Sequence, residues 1–412
     1  MTNAVNLTVT TNKTSFPVLN TPQLLYVLMD VIPTEMLAQV RMPLNFALVL
    51  DRSGSMSGDK IKCVREAVKK AIDRLDDEDT IAIVTFESTT TVDVSSRPAR
   101  DKGALKSQVD HISAGGGTTM APAMKAGLQE IQKQPLAGRV NRLILLTDGQ
   151  TVGEEDCRDQ ADEAGALGIP ITALGVGDDW NDKLLEDIAE KSGGQSDQIK
   201  QASDIEPFFA TAVQQMQAVA AQNAVLTLRL SQGVRPRAAY RVLPLLANLA
   251  DERPLSDREA LIELGELGKD QGQTLLVELL VDPRPAGSYR LAQAEVSYDI
   301  PALGLTGEKA KVDVVVPFGY DSPLNPRVMN IVEKATAFKL QTRALRDVEE
   351  GNIAGATQKL RAAATRLLEM GELELAQAAQ QEAANLEAQG QMSAAGTKKL
   401  RYETRKLTQK LE

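Results

Sequence analysis

The sequence predicts an α/β domain built on a doubly wound, mostly parallel sheet, inserted into a β-sandwich and followed by a C-terminal α-helical domain. Three observations predict it. Between residues 43 and 218, apolar strand-like runs alternate with amphipathic helical segments, the pattern of a parallel sheet covered on both faces. Strand-like runs without intervening helices flank this region on either side, and neither set is self-sufficient, which suggests that the two complete one sandwich. Beyond Pro326 the composition shifts to Ala, Gln, Glu and Leu, the best helix formers. The resulting division is residues 1–42 as N-terminal strands of the sandwich, 43–218 as the α/β domain, 219–322 as the rest of the sandwich and 323–412 as a helical bundle.

Taken in order, Asn6–Thr10 and Gln23–Val31 alternate in the manner of strands with one exposed face, with Pro17 and Pro22 between them as breakers. The apolar run Phe46–Leu50 is followed by a helix over Lys60–Leu75, where Ile61, Val64, Val68, Ala71, Ile72 and Leu75 form one stripe. Thr80–Phe86 reads as a buried strand, and Thr89–Val94 as its short hairpin partner. Helices over Leu105–Ile112 and Met120–Gln132 flank three glycines, Gly115 to Gly117. Strand Leu143–Thr147, helix Glu155–Leu167, strand Ile169–Leu174 and helix Asn181–Glu190 come next, and a helix over Ile205–Ala220 closes the domain. Strand character returns at Ala224–Leu230, Thr274–Val281, Tyr289–Ile300 and Lys309–Pro317. The last helices fall near 326–350, 353–370, 372–388 and 392–410. Gly351–Ala356 and Gly371–Ala376 share a register that either a helical repeat or a simple antiparallel bundle produces. The basic run Lys398, Lys399, Arg401, Arg405, Lys406 and Lys410 reads as a solvated face.

The chemistry concentrates where the strand Phe46–Leu50 gives way to Asp51-Arg52-Ser53-Gly54-Ser55-Met56. Asp51, Ser53 and Ser55 stand at alternate positions, one carboxylate and two hydroxyls with no sulfur or imidazole, which is a donor set for a hard cation. Further oxygens are available from Thr118, which follows the glycines, and from Asp148, which ends the run Leu143–Thr147. In an open parallel sheet, strand ends meet at the topological switch point, so these distant segments can converge there.

Asp-x-Ser-x-Ser, a later Gly-Gly-Thr and an Asp-Gly after an apolar strand resemble the metal-ion-dependent adhesion site of the von Willebrand factor type A (VWA) family. Residue by residue, the resemblance matches Asp51, Ser53, Ser55, Thr118 and Asp148, with Thr119 beside Thr118. It covers about residues 43–218 and implies that Ser53, Ser55 and Thr118 coordinate the ion directly, while Asp51 and Asp148 act directly or through water. The implied cation is Mg²⁺, or Mn²⁺ or Ca²⁺, with an open position for the Asp or Glu carboxylate of a protein partner. Met56 and Met120 adjoin the metal loops and would either pack around that partner or lie in the core. Multidomain bacterial members of the family also suggest an adaptor acting with an AAA+ ATPase or in stress signalling. Two alternatives remain open from the sequence: a metal-dependent hydrolase, or a vestigial site with binding by the C-terminal helices.

Other features have simpler readings. Gly115–Gly117 lacks a following Lys-Ser or Lys-Thr and so is a turn that presents Thr118, and Gly175-Val176-Gly177 reads as a turn as well. Asp76–Asp79 reads as a solvated loop, and His111, the single histidine, as a half-buried helix residue with no nucleophile beside it. With 43% apolar and 25% charged residues the chain has the composition of a soluble globular protein, and with only 3% aromatics its cores must be aliphatic. A net charge of −10 argues against general binding to nucleic acid or anionic membrane. No apolar run reaches the roughly 20 residues a membrane helix needs. Residues 1–14 lack a signal-peptide pattern, so a cytoplasmic location with Cys63 and Cys157 as reduced, inert thiols is expected.

Overall fold

The computed structural model describes residues 4–249 and 258–409. The chain divides into two units, one of Arg41–Val219 and one that joins Met1–Val40 to Ala220–Glu412. The first segment holds β1 (Val5–Thr11), β2 (Phe16–Pro17), β3 (Gln23–Pro33) and the single turn α1 (Glu35–Ala38). The chain then runs through β4 (Leu44–Asp51), α2 (Asp59–Arg74), β5 (Thr80–Phe86), β6 (Thr90–Pro98), α3 (Lys102–Asp110) and α4 (Ala121–Gln132). The same unit continues with β7 (Val140–Thr147), α5 (Glu154–Ala166), β8 (Ile171–Val176), α6 (Asp182–Lys191), β9 (Gln195–Ile199) and α7 (Ile205–Ala218).

In this middle unit the strand order is β6-β5-β4-β7-β8-β9, with only β6 antiparallel. The order reverses between β4 and β7, so the switch point falls where Asp51 ends β4 and Asp148 follows β7. Every residue of β4 is buried. Its side chains alternate: Phe46, Leu48 and Leu50 pack with apolar residues of α2, α3 and α7, while Ala47 and Val49 lie against α4. The approach of α4 is close, because a Cβ at Gly127 would come within 2.7 Å of Val49 Cγ2. The Asp76–Asp79 segment is only partly solvated. Asp79 is wholly buried and accepts Leu44 N at 2.9 Å, Asp76 N at 2.8 Å and Arg41 Nη2 at 3.1 Å, so it is an anchor for the start of β4. His111 caps the end of α3 and is exposed, with its Nδ1 2.7 Å from Ser107 O. Cys157 is buried on α5 with its thiol pushed up to about 12 by burial, and both cysteines are free.

The other unit resumes at β10 (Val219–Leu230) and continues with β11 (Val234–Leu243), β12 (Ala247–Asn248), β13 (Glu259–Gly268), β14 (Gln273–Val281), β15 (Gly287–Ile300) and β16 (Leu305–Gly319). Two five-stranded sheets result, in the orders β1-β3-β14-β11-β12 and β13-β10-β15-β16-β2. The N-terminal strands thus complete a sandwich: β3 pairs with β14, and Phe16 of β2 with Phe318 of β16. Between the sheets lies a core that includes Val27, Met29, Leu275, Val277, Leu226, Leu228, Val296 and Val314. Four helices follow, α8 (Pro326–Glu349), α9 (Ile353–Glu369), α10 (Leu373–Gln389) and α11 (Ala394–Arg405). They cover the outer side of the first sheet, where Leu28, Tyr240 and Leu276 join Val328, Ile331 and Phe338 in a second core. The expectation of an exposed face on β3 is therefore overturned, since neighbouring Leu28 and Met29 serve different cores and both are fully buried.

Gly351 and Gly371, both at φ +78°, form the turns that the matching sequence register marks, and helices consecutive in the chain pack on one another. The basic final segment is not a solvated face throughout. Lys398 is 2% exposed and the Arg401 side chain 9% exposed within α11, while Lys410 lies outside the described residues.

On the outer side of the second sheet, Glu295 of β15 meets Lys311 at 2.6 Å, Lys309 at 3.0 Å and Arg229 at 3.4 Å. Hydrogen bonds from Lys311 and Lys309 hold its carboxyl at about 2, below the ordinary glutamate value of ~4.3. A depressed carboxyl stabilises the fold above its unfolded value, and that contribution is lost as pH falls through ~4.3 towards about 2. Urea titrations across this window should therefore show a shallower acid loss of stability for Glu295→Gln than for the wild type.

Candidate metal centre

Four segments build the centre, the loops at the carboxyl ends of β4, β5 and β7 and the loop between α3 and α4, and hydrogen bonds lock them together. Arg52 N donates to Phe86 O at 2.8 Å, Gly115 N to Arg52 O at 2.8 Å and Gly54 N to Gly116 O at 3.1 Å. Gly117 N donates to Ser88 Oγ at 2.9 Å, and Thr119 N to Glu87 O at 2.8 Å. Gly116 has φ +80°, a backbone conformation that favours glycine at this turn. The loop after β7 is tied in by Thr151, whose Oγ1 accepts from Met120 N at 3.0 Å and donates to Thr118 O at 3.3 Å.

Within this frame the predicted residues come together. Ser53 Oγ and Ser55 Oγ are 3.0 Å apart, and Ser55 Oγ donates to Asp148 Oδ1 at 2.7 Å. Thr118 Oγ1 faces the same crevice, since a Cβ placed on Gly149 would lie 3.9 Å from both it and Ser55 Oγ. Asp51, Asp148 and Ser53 are 0%, 2% and 2% exposed, whereas Ser55 is exposed and Thr118 half-buried, so the carboxylates and Ser53 form the floor and Ser55 and Thr118 the mouth. Burial pushes the Asp51 carboxyl up, against the hydrogen bonds from Ser53 and Thr147, and the charge of Asp148 pushes the same way.

Several participants were not evident in the sequence. Thr147 Oγ1 donates to Asp51 Oδ2 at 2.6 Å while Ser53 N donates to Asp51 Oδ1 at 2.8 Å, so both carboxylate oxygens are already oriented. Lys60, in the first turn of α2, places its ammonium against Asp148 Oδ2. A cationic group therefore already sits against the oxygen cluster, in keeping with its net negative charge. Glu87 and Arg52 form an ion pair of 3.3 Å beside it. Thr147 was signalled only as the polar end of an apolar strand; Lys60 carries no local signal at all. Met56 and Met120 are 0% and 1% exposed and pack the domain interior, which removes them as partner contacts. The donor set of two carboxylates and three hydroxyls fits a hard divalent cation and would suit no soft one. Among the described residues no group of three or more His, Cys, Asp or Glu side chains offers a rival metal site.

Comparison with known proteins bears on the fold that carries this crevice. The uncharacterized protein sll0103 of Synechocystis sp. is 29% identical over 334 residues, 79% of this chain and 78% of that protein. The E3 ubiquitin-protein ligase WAV3 of Arabidopsis thaliana is 23% identical over 350 residues, but this chain spans only 44% of its length. The solved structure of a von Willebrand factor type A protein from Catenulispora acidiphila matches with a TM-score of 0.77 at 19% identity, over 98% of this chain and 97% of that one, a likeness of fold. Residues 326–410 match the family model of the Sll0103-like, C-terminal alpha-helical domain, and residues 45–215 that of the von Willebrand factor type A domain. No helix among the described residues is long and apolar enough to cross a membrane. The crevice at the β4/β7 switch point thus lies in a von Willebrand factor type A domain, which this chain carries ahead of an Sll0103-like helical domain.

Proposed function

We propose that this chain is a cation-dependent protein-binding adaptor whose crevice captures a carboxylate of its partner. The observation that carries the reading is the convergence of Asp51, Ser53, Ser55, Thr118 and Asp148 on one crevice with Ser55 and Thr118 at its mouth. VWA domains are generally interaction modules. Ser53, Ser55 and Thr118 would hold Mg²⁺ directly, with Mn²⁺ and Ca²⁺ as further candidates, and Asp51 and Asp148 would act directly or through water. When bound, the ion supplies an electrophilic position for an Asp or Glu side chain, because neutral hydroxyls leave most of its charge uncompensated. Thr147 and Ser53 N hold the Asp51 carboxylate in place, and Thr151 fixes the Thr118 loop. Val152, 68% exposed on the loop after Asp148, offers the partner an apolar contact at the rim. Binding is favoured over hydrolysis because both Asp51 oxygens are committed and His111 is bonded to Ser107 at the end of α3, so neither is poised as a general base. An AAA+ ATPase is one partner to seek.

The test is an affinity capture from cell lysate with wild type and Asp51→Ala, each in Mg²⁺ and in EDTA. Proteins retained only by wild type with Mg²⁺ are the expected result. Retention of the same proteins in all four conditions would move the binding to other surfaces, the C-terminal helices first.

A further inference from the structure

The helix α8 carries a cationic stripe. Lys339, Arg343 and Arg346 recur at i, i+4 and i+7, which places them on one face. The acids of α8 are engaged elsewhere: Glu333 pairs with Arg366, Asp347 with Lys359 and Glu349 with Arg401. Among the described residues, Lys339 and Arg343 have no hydrogen bond or ion pair. Like charges at i, i+4 are mutually destabilising, and they stand here in a chain of net charge −10.

The stripe lines a cleft of about 60 Å³. Its floor is aromatic, with Tyr240 and Phe338 only 6% and 7% exposed. Asn248, directly opposite Tyr240 in the β11/β12 pairing, and Thr342 of α8 add an amide and a hydroxyl to the wall. Cationic forks, a hydroxyl and an amide around so small a space suit a compact tetrahedral oxyanion, because guanidinium groups bind phosphate through paired hydrogen bonds.

We propose that the cleft between α8 and the β11/β12 edge is a binding site for a phosphoryl group, supplied as free phosphate or as a small phosphate monoester. Arg343 and Lys339 provide the charge, Thr342 and Asn248 the orientation, and the substituent of an ester projects past the exposed Arg343 into solvent. This site is independent of the metal centre and does not rest on it.

Calorimetric titration of the full chain tests it, with inorganic phosphate and phosphoserine as the two ligands. The experiment is run in EDTA on the Asp51→Ala background, so that no metal-held phosphate contributes. One-to-one saturable binding of at least one ligand is expected, weakened at least tenfold by Arg343→Gln and by Lys339→Gln. Preference for phosphoserine identifies an ester, and preference for phosphate the free anion. The ligand should also raise the thermal midpoint of the unmutated cleft and leave that of Arg343→Gln unchanged, a comparison that separates lost binding from lost folding. Absence of saturable binding by both ligands, or undiminished affinity in both Gln variants, would overturn the proposal.

Discussion

Gly175→Val is expected to destabilise the middle unit by about 3–5 kcal/mol, the range for losing a buried large aromatic, and to shift the emission of the chain's single tryptophan to the red. Gly175 lies inside β8, paired with Thr147 on one side and Gln198 on the other. A Cβ at this position would sit 2.1 Å from Cδ2 and Cε2 of Trp180, far inside contact distance. The indole is 2% exposed and donates from Nε1 to Gly177 O at 2.9 Å, so it has no alternative place within the fold. Either the indole leaves and loses both packing and hydrogen bond, or β8 moves away from β7. The second course would disturb Thr147 and, through it, the Asp51 carboxylate. Urea unfolding followed by circular dichroism measures the cost, and fluorescence locates the indole. Combining Gly175→Val with Trp180→Ala should cost clearly less than the two single changes summed, because they remove the same contact. Strict additivity with unshifted emission in the single variant would show that the collision is relieved elsewhere.

The position also shows what the sequence could and could not disclose. Gly175-Val176-Gly177 reads as a turn, yet only Gly177, at φ +77°, has the conformation that a turn glycine supplies, while Gly175 is glycine to admit an indole five residues on. Local patterns reveal local causes. β4 and β5 were legible as continuous apolar runs buried on both faces, α2 because its burial follows a period of 3.6, and the four C-terminal helices by their wealth of strong helix formers. β9 was missed because Gln195-Ser196-Asp197-Gln198-Ile199 is a polar edge strand, and β11 because Pro236 and its flanking arginines disguise it. β13 alternates cleanly from Glu259 to Glu263, but its acidic outer face gave it the look of a loop. At the metal centre, oxygen spacing exposed Asp51, Ser53 and Ser55, whereas Lys60 and the link from Thr147 arise only when β4, β7 and α2 meet.

Asp79 extends that lesson, since an acid in the run Asp76–Asp79 is the anchor of the strand that leads to the centre. Asp79→Ala is expected to cost about 3–5 kcal/mol, the range for breaking a buried charged network. Removing the carboxylate leaves Leu44 N and Asp76 N without their acceptor and Arg41 without one of its acids. Those amides are the losses that matter, because Arg41 still has Asp76 and is 40% exposed along its side chain. Asp79→Asn retains one acceptor oxygen, so it should satisfy one of the two amides and cost less than Ala, by roughly the ~1–3 kcal/mol that an unsatisfied buried donor carries. Arg41→Met should cost under about 1 kcal/mol, as exposed ion pairs usually do. The order Ala, then Asn, then Arg41→Met, read from urea midpoints with Trp180 fluorescence, distinguishes a backbone anchor from an ion pair. If Arg41→Met matched Asp79→Ala, the charge pair would be the source of stability. Asp79 stands at the start of β4–β5 and Asp51 at the far end of β4, so folded Asp79→Asn should retain cation-dependent capture, and folded Asp51→Ala should lose it. That opposition is the physical reason one carboxylate can be assigned to the fold and the other to the site.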